Sequence, residues 1–275
     1  MFLLSVVLGR LRLFADKRKP SWTRLLRTAE VGSSELHVRD SPVNWQPNDR
    51  IVIATTSKHI MNSEIHTIRV VNETTIYLQN PLKFRHVVYN ESFGAHQVFT
   101  GAEVGILESN IGIAGDQDSL HLRYGGHLLV IQTTTQNEAN STYLSGVLFE
   151  RMGQYGPGIG RCALEFVGSD SPVDQAFVSE SIFHNTFATA ITVQEGANVH
   201  LSGNVIFNSL GSGVRLHGDT SRFSHNLIIQ TLCSTTIRPT GALELHNIQT
   251  TQLTHNVIAG SACACVLLRN SIFHG

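Results

Sequence analysis

Several large classes of function leave no trace in this chain. Charge of one sign is missing: 20 Lys plus Arg stand against 21 Asp plus Glu, a net charge of −1 over 275 residues. Beyond the short "DKRKP" at 16–20 there is no basic block, so the electrostatic footprint of a nucleic-acid binder is absent. Cysteine is scarce. Cys162, Cys233, Cys263 and Cys265 are too few for a disulfide framework. Cys263 and Cys265 are one residue apart, which is not the spacing of a zinc knuckle or a redox motif, and each cysteine reads as a buried thiol or an incidental disulfide. The apolar run from Phe2 to Leu8 is interrupted by Arg10 and Arg12 and falls short of the roughly 20 residues that span a bilayer. It also lacks the charged start and small-residue cleavage site of a signal peptide. Residues 1–20 therefore read as an N-terminal segment outside the folded modules, an ordinary apolar strand or an arbitrary start inside a longer gene product.

What is present is repetition. "SESIFHNTFATAITV", "SGNVIFNSLGSGVRLHG", "SHNLIIQTLCS" and "THNVIAGSACACVLL" align so that Ser181, Asn204, Asn226 and Asn256 share one column, spaced by 23, 22 and 30 residues. An apolar residue stands three before each (Val178, Leu201, Phe223, Leu253), and an apolar run follows. A second strand recurs at Ile191–Val193, Val214–Leu216, Leu243–Leu245 and Val266–Leu268, with two aliphatic residues inward and the middle one outward. The longer last step is an insertion around "TLCSTTIRPTG". Units this short cannot bury a face alone and must stack. The pattern predicts an all-β chain whose residues 116–275 form a right-handed parallel β-helix, with Asn chosen at the bend for its tolerance of left-handed angles and for its amide ladder. Val147–Phe149 and Leu164–Phe166 extend the pattern one coil upstream. Residues 21–115 differ. Strand pairs around "SELHVRDSPVNWQPNDRIVIATT" and "HTIRVVNETTIYLQNPL" predict a partial antiparallel β module before the solenoid, with the boundary between about 100 and 125. The chain stops in mid-coil at "LLRNSIFHG", which reads as the end of a fragment or truncated product.

Candidate chemistry lies on the outward columns of the second strand. Glu165, Thr192, Arg215 and Glu244 form one, with Arg215 and Glu244 on adjacent coils read as a surface ion pair worth under about 1 kcal/mol. Gln194, His217, His246 and Arg269 form the next, and His217, His246 and Arg269 are the candidate ligand contacts. The His pair alone is not a metal site, which would want three protein ligands. Asp219 follows two residues after His217. His225 and His255 are expected to cap the bend before the ladder. "GDQDS" at 115–119 lacks enough ligands for calcium by itself. No catalytic residue, metal or cofactor is assigned. Sequons at Asn72, Asn90 and Asn140 favour a glycosylated, extracellular chain.

The stretches "PSWTRLL", "VNWQPNDRIVIATTS", "TIYLQNPLKFRH", "AEVGILESNIGIAGD" and "GVLFERMGQYG" resemble, in order, the part of fibrocystin and fibrocystin-L that joins an eight-glycine domain to β-helix repeats. The cell-surface hyaluronidases related to transmembrane protein two and the cell-migration-inducing hyaluronan-binding protein share the arrangement. The resemblance covers roughly residues 20–275. It implies a large single-pass receptor, mostly extracellular and associated with cilia, held to the membrane only through the parent chain, with an extracellular protein or glycan as partner. The hyaluronidases carry a strand of the form R-Y-P-I-H-F-H after "MGQYG". Here it is Arg161-Cys162-Ala163-Leu164-Glu165-Phe166-Val167, with both His positions replaced, so the expected role is adhesion or ligand contact rather than depolymerisation. A glycan-active enzyme on the same fold is the alternative.

Overall fold

The computed structural model describes residues 3–7, 9–132, 142–156, 160–168, 176–218, 222–232, 240–249 and 251–270. They fall into two compact units, Lys17–Glu108 and the combination of Met1–Asp16 with Ser109–Gly275.

The second of these is a parallel β-helix. Its strands stack into three sheets. Sheet A is Leu3–Val7, His127–Ile131, Leu164–Val167, Ile191–Val193, Val214–His217, Gly241–His246 and Ala264–Arg269. Sheet B is Gly112–Ala114, Leu148–Glu150, Ile182–Thr186, Val205–Ser209, Leu227–Thr231 and Val257–Ser261. Sheet C is Leu11–Phe14, Thr142–Ser145, Ala176–Ser179, Val199–Ser202, Arg222–Ser224 and Leu253–Thr254. Each coil visits B, A and C in turn, and all the pairings in these sheets are parallel and in register, as in Leu164↔Ile191↔Val214↔Leu243. Alternation explains the core. Leu128, Leu164, Ile191 and Val214 from sheet A meet Phe149, Phe183, Ile206 and Ile228 from sheet B and Val178, Leu201 and Phe223 from sheet C. Phe149 and Phe183 stack at 4.7 Å between ring centroids.

The predicted ladder is formed. Asn204 Nδ2 and its backbone N–H both donate to Asn226 Oδ1 at 2.9 and 3.0 Å, and Asn226 repeats this on Asn256 at 3.1 and 2.9 Å. Ser181 N–H donates to Asn204 Oδ1 at 3.0 Å. Each amide also reaches back to the bend of the preceding coil, since Asn204, Asn226 and Asn256 Nδ2 donate to the carbonyls of Val178, Leu201 and Phe223. The expected reason for Asn needs correction. The left-handed residue is the one before the ladder, Glu180, Gly203, His225 and His255, and none of Ser181, Asn204, Asn226 or Asn256 has a positive φ. The side-chain amide, not backbone tolerance, selects Asn. A second ladder escaped the sequence reading: Gln230 Nε2 donates to Asn208 Oδ1 at 3.1 Å and Asn208 Nδ2 to Asn185 Oδ1 at 2.6 Å, all three with positive φ.

The N-terminal segment is also corrected. Leu3–Val7 pairs with His127–Ile131 and Leu11–Phe14 with Thr142–Ser145, so these residues supply two strands of the solenoid's first coil. Residues 17–108 are an insertion between the sheet C strand of that coil and the sheet B strand of the next, not a preceding domain that begins at 21 and ends at 115. Asn110 fastens the return point, donating to Asp16 Oδ2 at 3.0 Å and accepting from Asp16 N–H at 2.9 Å.

The inserted unit is antiparallel, as predicted. Six strands lie in the order Trp22–Arg24, Glu103–Ile106, Arg50–Ile53, Glu64–Asn72, Thr75–Leu78 and Glu35–His37, with a separate hairpin of Val88–Phe93 and His96–Gly101. A bridge between Leu25 and Val38 joins the two edge strands, leaving no open edge there. The turn around Asn72 is the expected hairpin, with Glu73 at φ 52°. Glu35–His37 and Arg50–Ile53, however, do not pair with each other but with Thr75–Leu78 and Glu64–Asn72. Glu64 organises the interior. It accepts from the backbone N–H of Lys83 and Phe84 at 2.8 and 2.7 Å and lies 3.1 Å from ring nitrogens of both His66 and His86. Burial pushes its carboxyl up, but the N–H groups of Lys83 and Phe84 together with the hydrogen bonds to His66 and His86 outweigh that and hold it below the ordinary carboxylate range.

Candidate functional site

The outer face of sheet A gathers most of the polar side chains singled out in the sequence. His217, His246 and Arg269 lie in register on successive strands. The two imidazoles stack at 4.4 Å between centroids with 27° between planes. Burial, then the neighbouring His246 and Arg215, lower His217 to a pKa of about 4. Burial likewise lowers His246 in spite of Glu244, whose Oε2 lies 3.2 Å from its Nε2. Both rings are therefore neutral near pH 7, with their faces stacked on one another.

The Arg215–Glu244 pair is not the surface contact expected. Glu244 is only 2% exposed. Its carboxylate takes hydrogen bonds from Arg215 Nε at 2.9 Å and from the Ser212 hydroxyl, and it also faces Gly241 N–H at 3.4 Å. Burial raises its pKa, yet Arg215, Ser212 and His246 outweigh that and bring it to about 2. A charge so enclosed is fixed in place, so Glu244 orients His246 and Arg215 rather than exchanging protons. Thr192, expected outward and open, is also buried, at 4% exposure.

The sequence reading missed the other end of the same face. His127 and Cys162 are buried and Glu165 half-buried, and their side-chain ligand atoms all lie within 4.8 Å of one another. Gln194 Nε2 donates to Glu165 Oε1 at 2.7 Å. Only the register Leu128↔Leu164 shows that His127 belongs beside this strand, and the coil containing His127 carries no ladder residue to betray it. A buried pair on sheet B was missed as well: His184 Nδ1 lies 3.0 Å from Glu150 Oε1 while the ring stacks over Phe207.

The remaining sequence candidates separate. His225 and His255 stack at 4.7 Å at the bend before the ladder. Asp116 in "GDQDS" uses Oδ1 to accept from the Ser119 hydroxyl and N–H, both at 2.9 Å, at the start of the helix Asp118–Leu122. Asn72 and Asn90 are exposed. Asn140, Asp219 and Cys233 lie outside the described residues. Cys162 and Cys265 are free thiols, and Cys263 is disulfide-bonded.

Known proteins match this architecture. The family model described as CEMIP beta-helix matches residues 123–268, more than half of the chain. Fibrocystin-L of Mus musculus is 30% identical over 92% of this chain, and fibrocystin of Mus musculus 28% over 93%. The human cell surface hyaluronidase CEMIP2 is 24% identical over 67% of this chain. The chain spans only 6% of the length of either fibrocystin and 14% of CEMIP2. Among solved structures, the tailspike protein gp49 from Pseudomonas phage LKA1 aligns over 98% of this chain and 45% of its own at 11% identity, with a TM-score of 0.27 that supports no comparison of function. With three parallel sheets, a stacked amide ladder and a matched family model, the chain belongs to the CEMIP beta-helix family and is related to fibrocystin and fibrocystin-L.

Proposed function

We propose that this chain is a non-catalytic segment of a large fibrocystin-like protein on the extracellular side of the plasma membrane, ciliary in its epithelial setting, and that the outer face of sheet A contacts a glycan. The observation that carries the reading is the in-register row of His217, His246 and Arg269. The neutral imidazoles offer ring nitrogens to sugar hydroxyls, and the guanidinium offers several donors for hydroxyl or carboxylate oxygens. The exposed sequons at Asn72 and Asn90 support the extracellular setting, as do the cell-surface relatives.

Hydrolysis of a glycosidic bond ordinarily takes two carboxyl groups about 5 to 9.5 Å apart. Glu165 and Glu244 share one outward column but are separated by the strands that hold Thr192 and Arg215. Three strand spacings put them roughly 14 Å apart. One feature favours the second reading, a glycan-active enzyme: Glu165 retains partial solvent access beside His127. Hyaluronan of defined length, incubated with the chain with and without calcium, separates the two readings. Retention without shortening is expected. Shortening that Glu165→Gln abolishes would overturn the proposal and establish the enzyme.

A further inference from the structure

His127 Nδ1 lies 2.6 Å from the carbonyl oxygen of Cys162. A carbonyl can only accept, so Nδ1 donates there, and in that tautomer Nε2 keeps a lone pair with which to bind a cation. That lone pair faces Glu165 Oε2 at 3.5 Å. A lone pair opposed to a carboxylate oxygen repels it unless something positive stands between them. A second ring proton would suffice for these two groups alone, but the Cys162 side chain brings its sulfur to the same point. We infer that His127, Cys162 and Glu165 form a three-ligand site for a borderline-soft divalent cation of the zinc class.

The donor set fits that class. Nitrogen, sulfur and carboxylate oxygen together suit zinc and its analogue cobalt, not calcium or magnesium. Ligand atoms bound at about 2.0 to 2.3 Å to one tetrahedral ion stand roughly 3.3 to 3.8 Å apart. Here His127 Nε2 and Glu165 Oε2 are already 3.5 Å apart, and no separation within the trio exceeds 4.8 Å. Outer partners that orient ligands are in place too: the Cys162 carbonyl fixes the His127 tautomer, and Gln194 Nε2 holds Glu165 Oε1 at 2.7 Å, leaving Oε2 to the ion. The thiol gives up its proton when the ion binds. Affinity therefore rises with pH, because binding releases that proton to solvent. The site rests on geometry at a different part of sheet A from the His217, His246 and Arg269 row, and its test does not read glycan binding.

The test is a titration of the full chain with cobalt at mildly alkaline pH, followed by displacement with zinc and calorimetry. Cys265 is an exposed free thiol, so the Cys265→Ser chain is the reference. One equivalent of cobalt should give a thiolate charge-transfer band with tetrahedral visible bands, retained in Cys265→Ser and lost in Cys162→Ser. His127→Gln and Glu165→Gln should weaken zinc at least about tenfold, and Gln194→Ala should weaken it less while keeping the spectrum. Gln194→Ala also serves if the variants of buried ligands fail to fold, as judged by circular dichroism. Absence of the charge-transfer band in the folded reference chain, or an unchanged band in folded Cys162→Ser, overturns the site.

Discussion

In the inserted unit, Glu64 is satisfied by Lys83 and Phe84 from one loop, by His86 just beyond it, and by His66 on its own strand. In the solenoid, Glu244 is satisfied chiefly by Arg215 and Ser212 of the preceding coil and by His246 two residues on. The first arrangement is a knot of unrelated positions and the second a rung of a ladder. Each solves the same problem, since a buried carboxylate left unpaired costs several kcal/mol. What differs is how substitution should propagate: a knot fails as a unit, whereas a stack fails coil by coil.

Replacing Glu64 should therefore have the largest effect. Glu64→Ala strands two backbone N–H groups and two imidazoles in a dry interior and should cost about 3 to 5 kcal/mol. Hydrogen exchange followed by mass spectrometry should show protection lost across 17–108 as a block. Loss confined to residues around 64 would dissolve the contrast. Leu245→Ala comes next, about 2 to 5 kcal/mol, because Leu245 is fully buried and stacks on Leu216 and Leu268. Its exchange effect should be graded, strongest in the coils that touch it. A uniform collapse of the solenoid would contradict coil-by-coil stability. Asn204→Ala should cost about 1 to 3 kcal/mol by leaving the Ser181 N–H and the Val178 carbonyl unpaired. A wild-type denaturation midpoint would show the ladder to be decorative.

Acid should produce the smallest effect near neutrality. His217 and His246 have folded pKa values lowered from 6.5, that of His217 to about 4, so below pH 6.5 the unfolded chain binds more protons and stability falls as pH drops toward 4. Glu244, lowered from 4.5 to about 2, contributes stability that is complete above pH 4.5 and lost as pH falls toward 2. Melting temperature measured from pH 7 to 5 should decline less steeply in His217→Ala. An unchanged slope would mean the ring is not shielded.

The same contrast explains what could be read from sequence. The solenoid repeats, so Ser181, Asn204, Asn226 and Asn256 announce their own alignment and with it the register of sheets A, B and C. From that register the row of His217, His246 and Arg269 followed directly. Burial of Glu244 did not, because the column says only which way a side chain leaves the sheet, and the Ser212 hydroxyl that covers Glu244 comes from the preceding coil outside the aligned columns. Leu3–Val7 and Leu11–Phe14 were missed for a related reason: residues 17–108 separate them from the other coils, and no local pattern marks a parallel pairing with a strand more than a hundred residues away. In the unit 17–108 the strands were visible by composition, but their order depends on non-local pairing that no repeat encodes.

The central claim is that the outer face of sheet A binds and does not cut. Calorimetric titration of the chain with hyaluronan oligosaccharide, compared with the double variant His246→Ala plus Arg269→Ala at matched melting temperature, tests it most directly. The account predicts saturable binding by the original chain, weakened at least about tenfold in the double variant as expected when central contacts are removed. Binding of equal strength by both would contradict it.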